Sequence, residues 1–243
     1  MTFADHQKII LQTKKLVHYP LCPLSRFIRL ILSEKKVEYS LIDECYWQRN
    51  EKFLMLNPAG TVPILIEADR RTVISGVYPI FEYLVDTLPH DDMMLLPISP
   101  TERAETRRLI AWFNETFYQE VSQALLLERV IKRQSRDCYP DSGVIRRALT
   151  SLPEHIVYLS ELLSRRDWLG GHRMNAADLV AVAHLSVVDF LGNIAWVNQT
   201  YLNEFMIVRE WYAKMKSRKS YRDILPDAVT GVTPPLHYAN PDF

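Results

Sequence analysis

The sequence predicts an α/β domain followed by an all-α domain, and three observations carry that reading. Over roughly the first ninety residues, short segments of strand and helix period alternate. Beyond a proline-rich break, every periodic segment has the helical spacing. The chain has 243 residues, 48% of them hydrophobic, which is enough for one large core or two modest ones.

Residues 1–13 have no basic start followed by a long apolar stretch, so no signal peptide is expected and they read as an N-terminal extension. Residues 14–88 form a βαβ–ββα unit. "KLVHY" is a strand. "PLSRFIRLILSEKK" is a helix with Leu24, Phe27, Leu30 and Ile31 on one face. "VEYSLID" alternates as a strand does, and "NEKFLMLN" is a short helix that must stop before Pro58. "TVPILIE" and "RTVIS" are strands split by the polar "ADRR". "YPIFEYLVDTL" is a helix with Pro79 in its first turn, where a missing N–H costs little.

Residues 89–100, "PHDDMMLLPISP", hold three prolines and no period, and are read as a linker. Residues 101–225 are helical. "TERAETRRLIAWFNETFYQEVSQALLLERVIKR" is one long helix, Pro140 to Arg165 holds another, and "EFMIVREWYAKMKSR" a third. The stretch from Leu179 to Val197 is interrupted by His184, Asp189 and Asn193. Its apolar pieces are too short for a bilayer, so it reads as a buried core helix. Residues 226–243 hold four prolines and read as an extended tail.

Charge and cysteine content narrow the function classes. Lys plus Arg (29) equals Asp plus Glu (29), so no electrostatic argument favours nucleic acid or a membrane surface. Three cysteines, Cys22, Cys45 and Cys138, do not make a disulfide scaffold, and a reducing cytoplasm is the expected home. The seven histidines lack ligand spacing, so no metal is expected.

Three phrases carry chemistry. In "NPAGTVPIL", Asn57 to Leu65, a proline just inside a strand removes a ladder donor. It becomes sensible if Val62–Pro63 is cis, which turns the chain and frees the preceding backbone groups for a ligand. An ordinary proline at an edge strand is the alternative. In "GHRMNAAD", Gly171 to Asp178, Asn175 caps a helix and Asp178 reaches back to the cap's N–H, a capping-box variant with a folding role. In "YPLCPLSRFIRL", Cys22 stands where a helix begins, and the helix dipole can lower its pKa toward a nucleophilic thiolate. The alternative is a small half-buried residue without chemistry. The absence of a second cysteine three positions away argues against a CxxC oxidoreductase.

The βαβ–ββα order, the Cys-Pro before the first helix, "NPAGTVPIL" and "GHRMNAAD" together resemble the glutathione transferase superfamily over nearly the whole chain after residue 13. The resemblance implies a thioredoxin-like N-terminal domain followed by an all-helical one, and a dimer. It implies a catalytic role for Cys22, or secondarily Ser25, with glutathione as cosubstrate. Val62 and Pro63 would then hold the cysteinyl part of glutathione. That superfamily carries Glu or Gln followed by Ser at the start of the third helix, to hold the γ-glutamyl end. Aligning "IFEYL" puts Gly76 and Val77 there, with Ser75 one or two residues too early. A buried charged ligand end without partners costs a few kcal/mol, on the order of 1–3 per group. No cofactor is therefore expected, and glutathione only if the enzyme reading holds.

"YPLCPLSRFIRLILSEKK", "YWQRNEKFLMLNPAGTVPIL" and "PPLHYANPDF" resemble more narrowly the FtsZ-localised, glutathione-transferase-like family of alphaproteobacteria. That resemblance implies a non-enzymatic, dimeric division factor that binds FtsZ and promotes constriction. The Pro-rich tail, with Leu236, His237, Tyr238 and Phe243, is then a candidate partner surface. Trp47, beside Tyr46, is another, though a packed corner explains it equally well. A tail folded onto its own domain is the competing reading. A regulator of the stringent-starvation type, contacting RNA polymerase, shares the fold and fits the tail and first-helix phrases less well. His184 is expected to be a satisfied core histidine.

Overall fold

The structure, a computed structural model, describes residues 13–89, 91, 93–135, 138–194 and 205–239. Strand β1 is Lys14–His18, β2 Tyr39–Asp43, β3 Ile64–Ile66 and β4 Val73–Ser75. They form one mixed sheet in the order β2-β1-β3-β4. β1 and β2 are parallel, with Lys14 opposite Tyr39, while β1–β3 and β3–β4 are antiparallel. Parallel neighbours need a crossover, and helix α1, Pro23–Glu34, supplies it. Helix α2 is Glu51–Leu56 and α3 is Val77–Thr87. This is a thioredoxin-like arrangement, as the order of periods predicts.

Local rules explain the boundaries. Pro23 opens α1 where its missing N–H has no intrahelical partner to lose. Asn50 Oδ1 caps α2 by accepting from the Phe53 N–H at 2.8 Å. Asp69 organises the β3–β4 turn, its Oδ1 accepting from the N–H groups of Arg71 and Thr72 at 2.9 Å each.

The second half is helical. Pro100–Ala111, Trp112–Ser122, Gln123–Leu126, Leu127–Ile131 and Lys132–Gln134 follow one another as one rod, α4, whose winding loosens to the π form over the second and fourth segments. Helix α5 is Ser142–Leu163, α6 Ala176–Phe190, α7 Met206–Lys216 and α8 Lys219–Arg222. Among the described residues no helix is long and apolar enough to cross a membrane.

Every residue of α6 is buried, including Asp178, His184 and Asp189. The box at its start forms as predicted. Ala177 N–H donates to Asn175 Oδ1 at 2.9 Å, and Asn175 N–H donates to Asp178 Oδ2 at 3.1 Å. Asp178 Oδ1 also accepts from Leu169 N–H and Trp211 Nε1, both at 2.9 Å. His184 is a satisfied core histidine, paired through Nδ1 with Ser122 Oγ at 2.8 Å and through Nε2 with Asn114 Oδ1 at 3.1 Å.

Helix α1 departs from the one-faced expectation. Besides Phe27, Leu30 and Ile31 it buries Arg26, Ile28 and Arg29. The reason is tertiary: α1 lies between the sheet and α6, and Arg26 Nη1 donates to Ser186 Oγ of α6 at 2.9 Å.

Candidate functional site

Cys22 is the residue before α1, extended at φ −74°, ψ 115°. Its N–H donates to Tyr19 O and its C=O accepts from Arg26 N–H, both at 2.9 Å. The side chain is 2% exposed. Burial pushes the thiol pKa up. The Ser25 hydroxyl, the first-turn N–H groups of Ser25 and Leu24 and the Arg26 charge oppose this and do not prevail. This corrects the expectation of a lowered pKa. The helix start does favour a thiolate, but the thiol sits in an apolar cluster with Tyr19, Phe53 and Val62, where losing hydration costs more. Ser25 is also fully buried.

The Val62–Pro63 bond is cis, as its place inside a strand motif predicts. The turn before it is built by Asn57, whose Nδ2 donates to Thr61 O at 2.8 Å and whose Oδ1 accepts from Ala59 N–H at 3.2 Å. Pro63 O accepts from Gly76 N–H at 3.0 Å. The cis turn and the start of α3 are thus in direct contact, and Cys22 shares its cluster with Val62.

The start of α3 contributes no polar side chain. Gly76 has φ +92°, a conformation that a side chain opposes, and its Cα carries nothing to cap the helix. Val77 faces the core. Ser75 Oγ donates to Leu56 O at 3.3 Å.

Beside this site lies an aromatic corner. Tyr46–Gln48 is a short 3₁₀ turn, and Tyr19 meets Tyr46 and Trp47 edge-on, with ring centroids 6.2 and 4.9 Å apart. Burial pushes the hydroxyls of Tyr19, Tyr46 and Tyr118 far up, so all three stay neutral. Trp47 is half-buried, and packing against Tyr19 accounts for its place.

The tail is docked over its described part. Leu236–Ala239 forms a 3₁₀ turn. Tyr238 is 1% exposed and meets Phe190 edge-on at 5.1 Å, whereas Leu236 is 99% exposed. His237 Nε2 lies 3.0 Å from Asp189 Oδ1, and His237 O accepts from Lys216 Nζ at 3.1 Å. Asp227 Oδ2 accepts from Arg26 Nη2 at 3.1 Å and Arg29 Nη1 at 2.8 Å. Of the expected partner residues, Leu236 presents an apolar side chain outward and Tyr238 points inward. Phe243 lies outside the described residues.

Sequence reasoning missed the charge pairs that join the end of the helical domain to α6, to the tail and to α1. The run "KMKSRKSYRD" reads as basic residues at helix ends. Instead Lys216 pairs with Asp189 at 3.2 Å, both fully buried, and Arg218 grips Glu34 of α1 through two bonds of 2.7 Å. The available signal was Asp189, an acid inside an apolar stretch, which requires a cation from elsewhere. Among the described residues no group of three His, Cys, Asp or Glu is placed to hold a metal.

The glutathione S-transferase N-terminal domain family matches residues 21–87. FtsZ-localized protein A of Caulobacter vibrioides is 40% identical over 95% of this chain and 98% of its own. The crystal structure of a glutathione S-transferase from Sinorhizobium meliloti superposes with a TM-score of 0.89 at 40% identity, covering 95% of this chain and 100% of the other. The structure of FzlA from C. crescentus gives 0.88 at 39% identity with the same coverage.

Proposed function

We propose that this chain, which belongs to the glutathione transferase superfamily in the family of FtsZ-localized protein A, is a non-enzymatic cell-division factor that binds FtsZ filaments and promotes constriction. The observation that carries the reading is 40% identity to that protein over nearly the full length of both chains. The start of α3 supports it from the physical side. Gly76 and Val77 give the γ-glutamyl end of glutathione no side-chain partner, and Ser75 is bonded to Leu56 O. The protein works in the cytoplasm as a homodimer without cofactor, metal, nucleic acid or membrane insertion. Two weak contacts per dimer then strengthen each other on a filament. Leu236 is the apolar contact of the tail surface, with His237 beside it, and Tyr238 holds the turn in place. Trp47, at the aromatic corner, and Phe243, outside the described residues, are the further proposed contacts with FtsZ.

The second reading is a glutathione transferase or thiol transferase using Cys22, or Ser25. The cis Val62–Pro63 bond favours it, as the family's cysteinyl subsite requires. The raised thiol pKa weighs against it, because the thiolate is the nucleophile.

Co-sedimentation with FtsZ polymers and calorimetric titration with glutathione, up to millimolar concentrations, test the two together. The proposal expects pelleting with FtsZ, unaltered by Cys22→Ala and lost with Leu236→Asp, and no heat with glutathione. Glutathione binding together with a transferase activity that Cys22→Ala abolishes would sink it.

A further inference from the structure

Two cavities flank the segment that joins the thioredoxin-like domain to the helical one. The near cavity, of about 590 Å³, lies against the ends of α1 and α3, with Lys35, Leu84, Val85 and Leu88 on its wall. The far cavity, of about 430 Å³, lies against the loop before α6, with Gly170, His172, Arg173 and Met174 on its wall. Met94, Pro97 and Ile98 line both, so the two are halves of one groove. Ile98 stands on the ridge between them and is 81% exposed. The ridge is held from below. Lys35 Nζ donates to Pro89 O at 2.7 Å and to Met93 O at 3.2 Å, and Leu95 and Leu96 are buried. An exposed apolar ridge between two hollows, with polar groups at the rim, marks a surface that takes an apolar segment.

The chain itself carries such a segment beside the groove. Residues 1–12, "MTFADHQKIILQ", lie outside the described residues and contain Phe3, Ile9, Ile10 and Leu11. They join the fold at Thr13, next to β1. Lys14 of β1 pairs with Glu67, and Glu67 also faces the Tyr83 hydroxyl of α3, one residue before Leu84. Lys14 stands opposite Tyr39 in the sheet, four residues beyond Lys35. From Tyr83 to Leu88 the wall of the near cavity runs about 8 Å, at 1.5 Å per helical residue. An extended chain rises about 3.3 Å per residue, which puts Leu11 about 7 Å, Ile9 about 13 Å and Phe3 about 33 Å from Thr13 at full reach.

We propose that residues 1–12 occupy this groove as an intramolecular clasp, with Ile9 to Leu11 in the near half and Phe3 in the far half, holding the two domains together. The charges run in the same order. Lys8, beside the apolar trio, faces Asp86 of the near half, and Asp5, beside Phe3, faces Arg173 of the far half. Arg103 lines the near half and Glu102 the far half, so the charges set direction and the apolar contacts set affinity. This inference does not depend on FtsZ being the partner.

The test is amide hydrogen exchange in the full chain, compared with Ile98→Asp in the groove and Ile10→Asp in the segment. Ile98 is mostly exposed, so its replacement leaves the core beneath intact. The amides of residues 9–11 should exchange at least about tenfold more slowly in the parent than in Ile98→Asp, the change in open population from setting a charge against one buried apolar side chain. Hydroxyl-radical footprinting supplies the second readout: Met94 should be modified at least about twofold faster in Ile10→Asp than in the parent, because the clasp no longer shields it. Unprotected amides at residues 9–11 of the parent overturn the clasp, and so does a Met94 rate that Ile10→Asp leaves unchanged. Protection that survives Ile98→Asp also overturns it, since the segment then packs elsewhere. Protection that rises with protein concentration does the same, because the groove then holds the segment of a second copy.

Discussion

Replacing Lys216 by Met tests how the buried charges hold this fold. Lys216 Nζ lies 3.2 Å from Asp189 Oδ2, and both side chains are fully buried. Coulomb attraction at that distance, with an effective dielectric near 20, is about 5 kcal/mol. Removing one member of a buried pair typically costs about 3–5 kcal/mol, because the other charge remains desolvated. Asp189 would keep the Tyr212 hydroxyl at 2.9 Å and His237 Nε2 at 3.0 Å, which places the expected loss near 3 kcal/mol rather than 5. The pH dependence carries a sign. Burial already raises the Asp189 pKa, and losing Lys216, the strongest opposing influence, raises it further. The folded variant then binds more protons than the unfolded chain, so its deficit shrinks as pH falls below the raised folded value toward about 4. Urea unfolding followed by circular dichroism, at about pH 7.5 and pH 5, measures both. Pairing Lys216→Met with Asp189→Asn should recover most of the loss, as neutralising both partners of a buried pair does. A loss below about 1 kcal/mol for Lys216→Met, or no recovery in the double variant, would refute the reasoning.

Gly170→Ala should destabilise through the cap of α6. A Cβ there would stand 2.0 Å from Asn175 Nδ2, so the capping amide must move, and a lost cap costs about 0.5–2 kcal/mol. Calorimetry should show a melting temperature lower by about 1–8 °C; an unchanged value would mean that Asn175 is not needed there. Acid should weaken the fold through two histidines. Burial lowers His184 to about 3 and His18 to about 4. Both lie below the ordinary value, so the unfolded chain binds protons that the folded one refuses. Their contribution is complete above about pH 6.5 and is lost as pH falls toward 4 and then 3. In His184→Gln, the slope of unfolding free energy against pH between about 6 and 4 should fall by about 1.4 kcal/mol per pH unit relative to the parent. Equal slopes would show that His184 is not held neutral.

Much of the fold is legible in the order of local signals. The alternation of periods gives β1 through α3, because each element buries one face and its pattern repeats at 2.0 or 3.6 residues. The cap of α6 is legible because Asn175 and Asp178 act within one helical turn. Pro63 is legible because a proline in a strand must be accommodated. The vacancy at the start of α3 is readable from Gly76 and Val77 alone, since neither carries a polar side-chain atom.

Burial of charge was not legible, because it joins residues far apart in the chain. Arg26 and Arg29 look like the polar side of a helix until α6 and the tail close over them, with Asp227 as their shared acceptor. The Cys22 thiol has the local setting of a nucleophile, and only packing by Tyr19, Phe53 and Val62 reverses the direction of its pKa. The tail, too, is equally consistent as sequence with a free peptide and a docked strap. Phe190 and Lys216, contributed by two different helices, decide for docking over residues 236–239. The sequence by itself determined which segments are helix or strand and where they cap, because those free energies are local. Only the tertiary structure decided which charges are desolvated and which side chains reach the surface, because hydration is lost to neighbours that the chain brings from a distance.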